Sequence, residues 1–229
     1  MATLHLLRHG QASFGNENYD TLSARGWEQG RVLGAWLAGK VDPALVVGGS
    51  MQRHRETIAA LAEGFGAPLP DMQVMAGFNE FDHRQIISRY RPQWADPRVM
   101  ARDLAAVPTP ARAFQQVFVQ SLQRWVSGTH DGEYAEPWCQ FKRRVLTAFA
   151  QLMDRAEGAD VLVATSGGPI TVVVQHLLAL PDSRALALNE VIANTSVTRV
   201  LYSGDRSSLA VFNNYSHLEA ADASLVTFR

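Results

Sequence analysis

The chain has 229 residues, of which 47% are hydrophobic, and its 21 Lys and Arg residues against 22 Asp and Glu residues give a net charge of -1. This length and apolar fraction suffice for a sizeable buried core. The balanced charge excludes an overall electrostatic attraction to nucleic acid or to an anionic membrane, so any anion-binding site must be local.

The N-terminal segment predicts a buried strand that ends in polar residues. The run "LHLL" at residues 4–7 is largely apolar, and Arg8, His9 and Gly10 follow it directly. An isolated Arg-His-Gly is more often a solvated strand end than a site. The strand has no basic leader segment before it, and the chain has a single cysteine, so we expect a cytoplasmic protein.

The next elements follow an order of strand, glycine turn and helix. A helix is predicted over residues 23–40, and its core-facing residues are Trp27, Leu33, Trp36 and Leu37. The run "ALVVGGS" at residues 44–50 predicts a strand that passes through two glycines into a helix over residues 51–65. Arg53 lies in the first turn of that helix.

The central part of the chain has a different pattern. Short helical pieces are separated there by four prolines, Pro92, Pro97, Pro108 and Pro110. We interpret residues 81–136 as a helical cap inserted into a core formed by residues 1–80 and 137–229, so that the whole chain is one domain.

The last third of the chain predicts a helix, a strand, a second helix and two further strands. Within the helix over residues 137–155, Cys139 is interpreted as a small buried hydrophobe. Residues 161–181 carry no charge and are long enough to cross a bilayer, but a Gly-Gly-Pro interruption divides them into a strand and a helix. "SVTRVLYS" and "SLAVFNN" then predict two strands around a turn.

Strands that alternate with helices predict an α/β fold, here a three-layer αβα sandwich around a mostly parallel sheet with the inserted helical cap. Ligands of such sheets bind beyond the carboxyl ends of the strands. Three strand ends carry the candidate residues, which are Arg8 and His9, then Arg53, then Ser166 and Gly167. We expect them to meet in one pocket, where a helix start favours an anion.

These residue types fit phosphoryl transfer. A neutral imidazole such as His9 attacks phosphorus when its other nitrogen is hydrogen-bonded, and the guanidinium groups of Arg8 and Arg53 match the phosphoryl oxygens. Glu80 is the candidate acid that protonates the leaving alkoxide and then activates water. We expect neither a metal nor another cofactor, since no cluster with metal-ligand spacing is visible in the sequence.

Taken together, the motifs resemble those of the histidine phosphatase superfamily, also called phosphoglycerate-mutase-like. Arg8, His9 and Gly10 match its Arg-His-Gly motif, and "YDTLSARG" matches its Asp-x-x-Leu-[Ser/Thr]-x-x-Gly helix start. The resemblance extends over both ends of the chain and hardly at all over residues 83–136. It implies a metal-independent phosphomonoesterase that forms a phosphohistidine on His9.

Two further motifs carry the resemblance. "GSMQRHRET" matches a Ser-x-x-x-Arg-x-x-x-Thr turn at Arg53 and Thr57, with Gly49 at the usual serine position. "FNEF" places Glu80 at the position of the family's downstream glutamate. The resemblance thus implies that Arg53 binds phosphate and that Glu80 is the acid.

The chain departs from the family pattern at Ser166. The family's last core motif usually contains a histidine before its glycine, and the sequence here is Thr-Ser-Gly-Gly. Serine donates only one neutral hydrogen bond, so we expect phosphate binding with a low turnover number. Four other histidines are candidates for substitutes or bystanders. We interpret His5 and His217 as structural, His54 as a residue at the rim of the site, and His83 as one that could reach the pocket.

Two alternatives to a phosphomonoesterase stay open. One is a phosphoglycerate mutase, which "SFGNENY" and "NEFDHRQ" disfavour because they lack the segments typical of such mutases. The other is a phosphate-binding protein with little turnover, which Ser166 suggests. The expected partner is a small or protein-borne phosphate ester, not nucleic acid or a membrane, and a homodimer stays open.

Overall fold

The computed structural model describes residues 2–13 and 20–228, so most of "SFGNENY" lies outside the described residues. The strands are β1 (Ala2–Arg8), β2 (Leu45–Gly48), β3 (Gln73–Val74), β4 (Val161–Thr165), β5 (Val197–Ser203) and β6 (Arg206–Asn214). The helices are α1 (Ala24–Leu37), α2 (Gln52–Phe65), α3 (His83–Tyr90), α4 (Pro97–Ala105), α5 (Pro110–Val126), α6 (Trp138–Ala156), α7 (Gly167–Leu177), α8 (Asp182–Val191) and α9 (Ser216–Ala221).

The strands form one sheet in the order β3-β2-β4-β1-β5-β6. β1 and β2 both pair with β4 in parallel, while β5 and β6 are antiparallel. Arg8 pairs with Thr165 and Gly48 with Ala164, so β1, β2 and β4 end side by side at one edge of the sheet. The α/β fold with a mostly parallel sheet is therefore confirmed.

Helices cover both faces of the sheet because neighbouring strand residues point to opposite sides. Leu7 packs with the buried face of α1 and α2, whereas Leu6 packs with that of α6 and α7. β4 alternates in the same way, with Leu162 on the first face and Val163 on the second. Each fully buried aliphatic side chain contributes about 1.5–3 kcal/mol to the stability of the folded state. The two layers of helices, one on each face of the sheet, complete the three-layer sandwich.

Helices α3, α4 and α5 form the inserted helical region. Asp82 begins α3 by accepting hydrogen bonds from the first-turn amides, and Asp96 does the same for α4. These helices share a small apolar cluster of their own around the buried residues Ile87, Trp94 and Val117.

The charge-free stretch at residues 161–181 contains strand β4 and helix α7, and α7 begins at Gly167, as the glycines predict. Among the residues that the structure describes, no helix is long and apolar enough to cross a membrane.

The interpretation of Cys139 as a buried hydrophobe is wrong, because its side chain is exposed. The apolar face of α6 is formed by residues three or four positions apart, which include Trp138, Phe141 and Val145. Cys139 follows Trp138 by one position, which turns it about 100° away from that face.

Candidate active site

Backbone hydrogen bonds bring the predicted site segments to one edge of the sheet. The amide of His9 donates to the Thr165 carbonyl over 2.9 Å, and the amide of Gly49 donates to the Ala164 carbonyl over 3.2 Å. The Thr165 hydroxyl donates to the Phe78 carbonyl over 2.7 Å, which brings the turn before Glu80 to the same edge. The three strand ends and the candidate acid thus lie together.

The ring of His9 is buried and held in one orientation. Its Nδ1 lies 2.7 Å from the Gly10 carbonyl, which can only accept, so Nδ1 carries the proton and Nε2 is the nitrogen with a free lone pair. Burial is the main cause that lowers the pKa of His9 well below 6.5, and the charges of Arg53 and Arg8 lower it further. The ring is therefore neutral, as nucleophilic attack requires.

The loop after β1 packs against α1 and α2 through Gly10. A Cβ atom at Gly10 would lie 2.5 Å from the Gly26 carbonyl oxygen, so only glycine fits there. The Gly10 amide donates to the Thr57 hydroxyl over 3.1 Å, and this hydroxyl donates to the Arg53 carbonyl over 2.7 Å. These contacts fix the segment that carries His9 relative to the helix that carries Arg53.

Arg53 is the central charge of the site. Its side chain is buried, and its Nη1 donates to Asp20 Oδ1 over 2.8 Å. Its Nε is also buried and has no hydrogen-bond partner among the described residues. The positive charge lowers the pKa values of four groups of the site, which are His9, His54, Glu80 and His83.

Arg8 is half-buried and oriented by the C-terminal segment. Its Nη1 donates to the Phe228 carbonyl over 2.9 Å and to the Ile192 carbonyl. Its charge still lowers the pKa values of both His9 and Glu80, so the guanidinium contributes positive potential to the site. Direct binding of phosphate by Arg8 stays a prediction.

Glu80 lies against the start of α7. Its Oε2 accepts a hydrogen bond from the Gly168 amide over 3.1 Å, and a Cβ at Gly168 would lie only 2.1 Å from Oε1. Burial is the largest effect and raises the pKa of Glu80, against the Gly168 amide and the charge of Arg53, which lower it. The protonated form thus persists to a higher pH than in a solvated glutamate, as a general acid requires.

Ser166 and His54 form a buried pair. The Oγ of Ser166 lies 2.8 Å from Nε2 of His54, and neither residue has exposed surface. The hypothesis that His54 lies at the rim is therefore wrong, because α2 directs its ring into the core beside β4. Burial, followed by the charge of Arg53, lowers the pKa of His54 to about 3, so the ring is neutral.

The other predicted residues lie around this centre. Gly167 begins α7, where a Cβ would meet the Asn189 Oδ1 at 2.5 Å, and its contact with phosphate stays a prediction. His83 begins α3, is half-buried, and has a pKa that burial lowers. His217 lies with Nε2 3.3 Å from the Thr195 hydroxyl, in agreement with a structural role.

Two supporting residues have no role in the sequence-based site. Asp20 holds Arg53, and its position within "YDTLSARG" could have indicated a role. The Asn194 side chain donates to the His9 carbonyl over 3.1 Å, and nothing in the sequence signals this contact. In the described ranges, no group of His, Cys, Asp and Glu side chains is arranged to hold a metal ion.

A protein-family model gives the family of the chain. The model described as the histidine phosphatase superfamily (branch 1) matches residues 4–96 and 106–215. The chain belongs to this superfamily. A search of curated protein sequences returned no match.

Solved structures share the fold of this histidine phosphatase at low sequence identity. Phosphoglycerate mutase from Bacillus anthracis has a TM-score of 0.66 at 17% identity, over 95% of each chain. Phosphoserine phosphatase from Entamoeba histolytica, in complex with phosphoserine, has a TM-score of 0.66 at 14% identity, over 95% of this chain and 100% of that one. The α-ribazole phosphatase from Shigella flexneri has a TM-score of 0.58 at 17% identity, over 93% and 96%. At such identities the likeness concerns the fold alone.

Proposed function

We propose that this histidine phosphatase is a phosphomonoesterase that forms a phosphohistidine on His9 and acts on a small or protein-borne phosphate ester. The orientation of the His9 ring carries the proposal. With Nδ1 bound to the Gly10 carbonyl and the ring neutral, the lone pair of Nε2 is available, and the buried charge of Arg53 lies nearby. A neutral nucleophile beside a fixed cation suits attack on a phosphoryl dianion.

In the first step, Nε2 of His9 forms a bond to phosphorus and the bond from phosphorus to the leaving oxygen breaks. Glu80, whose pKa burial raises, gives its proton from the acid form to that oxygen, and an alcohol leaves. Negative charge on the three phosphoryl oxygens is stabilised by Arg53, whose Nε is unengaged among the described residues, and by the charge of Arg8.

In the second step, water attacks the phosphorus of the phosphohistidine. Glu80, now a carboxylate, takes a proton from the water, and the bond between phosphorus and Nε2 breaks. Inorganic phosphate leaves, and both His9 and Glu80 return to their starting protonation states. The cycle consumes one water molecule and needs no redox partner.

The test is hydrolysis of para-nitrophenyl phosphate by the purified protein with a chelator present. We expect phosphate release that survives chelation and is lost by several orders of magnitude in His9→Ala. His5→Ala is the matched control, because His5 is also a buried histidine but lies within β1, four positions before His9. A metal requirement, or full activity in His9→Ala, contradicts the proposal.

Product analysis tests the two alternatives. With 3-phosphoglycerate, a phosphatase releases inorganic phosphate, whereas a mutase yields 2-phosphoglycerate without net release. A binding protein with little turnover gives neither product and accumulates no phosphohistidine after rapid quenching. A panel of phosphate esters that includes phosphoserine and α-ribazole phosphate, which the names of the similar structures suggest, then narrows the substrate class.

A further inference from the structure

The pair of His54 and Ser166 lies directly beside the nucleophile. The ring centroids of His54 and His9 are 5.9 Å apart, with the rings tilted by 39°. Ser166 follows β4 at the strand end whose carbonyl oxygen at Thr165 holds the His9 amide. Burial of a histidine and a serine costs desolvation free energy, and burial of two apolar side chains has no such cost. A functional role would therefore explain this buried polar pair.

The surroundings of the pair leave room for one imidazole only. A Cβ at Gly49 would lie 2.4 Å from Nδ1 of His54, so the glycine is what admits the ring. A side chain longer than serine at position 166 would extend beyond Oγ and overlap the ring, whose Nε2 is 2.8 Å away. Gly49, His54 and Ser166 therefore form one interdependent set.

We propose, on the basis of the phosphatase function above, that His54 and Ser166 act as one hydrogen-bond donor to the transferring phosphoryl group. Nε2–H of His54 donates to the Ser166 oxygen, and the hydroxyl proton of Ser166 donates to a phosphoryl oxygen. Ser166 contacts the substrate, and His54 is a positioning residue that acts through it. An oxygen that accepts a hydrogen bond is itself a stronger donor, so this serine donates more strongly than a lone hydroxyl.

This arrangement changes the expectation of low turnover that Ser166 raises. The resemblance to the family expects a histidine at position 166, on the end of β4. Here His54, the residue after Arg53 on α2, directs its imidazole toward position 166. The Ser166 hydroxyl lies between this ring and the proposed place of the phosphoryl group. Burial and the charge of Arg53 keep the ring neutral, so it carries one N–H. Nδ1 of His54 has no hydrogen-bond partner of good geometry among the described residues, and we therefore assign the proton to Nε2, which faces the Ser166 oxygen.

The first experiment is a double-mutant cycle on hydrolysis of para-nitrophenyl phosphate. We expect Ser166→Ala and His54→Ala each to lower kcat by about 10²-fold with KM changed only a few-fold, because the donor acts mainly on the transition state. The double variant should be no slower than either single variant. Losses that multiply, or a His54→Ala enzyme with the original kcat, overturn the proposal.

Ser196→Ala is the matched control for the serine. Ser196 is also fully buried, and its Oγ has no hydrogen-bond partner in the part of the chain that the structure describes. We expect its kcat to equal that of the original protein. Loss of activity in Ser196→Ala equal to that in Ser166→Ala would mean that any buried serine deletion disturbs the site, and would overturn the proposal.

A second experiment moves the imidazole to the other element. In a variant that combines His54→Ala with Ser166→His, the ring reaches the same space from β4, and we expect kcat at least tenfold above that of His54→Ala alone. Ser166→His alone should lose activity and thermal stability, because two rings compete for one space. A merely structural role of His54 predicts no such rescue, so a combined variant as slow as His54→Ala overturns the proposal.

Failure of this inference is distinguishable from failure of the proposed function. The phosphatase function fails when the original protein does not hydrolyse para-nitrophenyl phosphate at all. Orthovanadate, whose five-coordinate form resembles the transition state, then serves as the probe. We expect Ser166→Ala and His54→Ala to weaken vanadate binding at least about tenfold and phosphate binding much less, and equal effects on both anions overturn the inference.

Discussion

Two regions of the molecule are packed differently: the floor of the site, formed by His9, Arg53, Glu80, Ser166 and Gly168, and the inserted helices. On the floor, His9, Arg53 and Ser166 are between 0% and 7% exposed and lie at the ends of buried strands and the helices that follow them. Of the inserted helices, α3 and α5 place Ile86, Leu122 and Trp125 in the main core. The small cluster around Trp94 lies apart from that core, and Asp103 beside it pairs with Arg91 and Arg102. The candidate catalytic residues thus lie in the buried main core, whereas part of the inserted region packs within a small cluster of its own.

Among the variants that compare the two regions, Glu80→Gln at the floor of the site has the largest expected loss of kcat. Because an aryl oxide leaves without protonation and an alkoxide does not, Glu80→Gln should slow alkyl phosphates by about 10²- to 10⁴-fold and aryl phosphates far less. The measurement is kcat for para-nitrophenyl phosphate and for β-glycerol phosphate. Equal losses on both substrates would mean that Glu80 positions another group, and His83 would be the next acid to test.

Gly168→Ala adds one methyl group to the floor of the site, next to Glu80. The added Cβ would lie 2.1 Å from Glu80 Oε1, so the carboxyl group must move. Misplacement of a catalytic group by about 1 Å can cost about 10²-fold, and we expect a loss of this order on alkyl phosphates. Gly132→Ala, at a position in the inserted region where nothing lies within 4 Å of the added atom, is the control and should keep full activity.

The pH dependence of hydrolysis tests the proposed roles of Glu80 and His9 without a substitution. Burial raises the pKa of Glu80, so its acid form is lost only as pH rises through that raised value, while the lowered pKa of His9 keeps the nucleophile neutral well below pH 6.5. We expect alkyl phosphate hydrolysis to favour acidic pH and to fall on the alkaline side. The alkaline decline should weaken for aryl phosphates and in Glu80→Gln, and a decline of equal size in all three would contradict the assignment.

Trp94→Ala tests the inserted helices and has the smallest expected effect on activity. Trp94 is 6% exposed, its indole donates to Asp103 over 2.9 Å, and Arg91 covers its ring. Removal of such a side chain costs about 3–5 kcal/mol of unfolding free energy, yet kcat for para-nitrophenyl phosphate should change only a few-fold. Urea unfolding and kinetics measure both, and a loss of kcat as large as that of Gly168→Ala would remove the contrast between the two regions.

The sequence predicts the strands and helices that carry the site because their signals are local. β1, β2 and β4 are apolar runs that end in glycine or polar residues, and these features are read from a few neighbouring positions. β3 is missed because it has two residues, both exposed, and α8 is missed because it has almost no apolar face. Cys139 is misassigned because the prediction rests on its aromatic neighbours Trp138 and Phe141 and not on its rotational position on the helix.

The site is predictable to the same extent. His9, Arg53 and Glu80 can be named as candidates from the sequence because each belongs to a short motif with fixed spacing. The contact between His54 and Ser166 is not found, since it joins residues 112 positions apart and depends on the space that Gly49 leaves. The side chain of Asn194, which reaches the His9 carbonyl across 185 positions, is missed for the same reason.

The contact between residues 225–228 and Arg8 has a consequence for folding. The guanidinium of Arg8 and the Phe228 carbonyl that binds it lie 220 positions apart in the sequence. The same segment binds Gln29 through the Leu225 carbonyl and the Thr227 hydroxyl. Contacts of such high sequence separation close slowly during folding, so we expect the Arg8 guanidinium to reach its final orientation late, after the strands that carry His9 have paired.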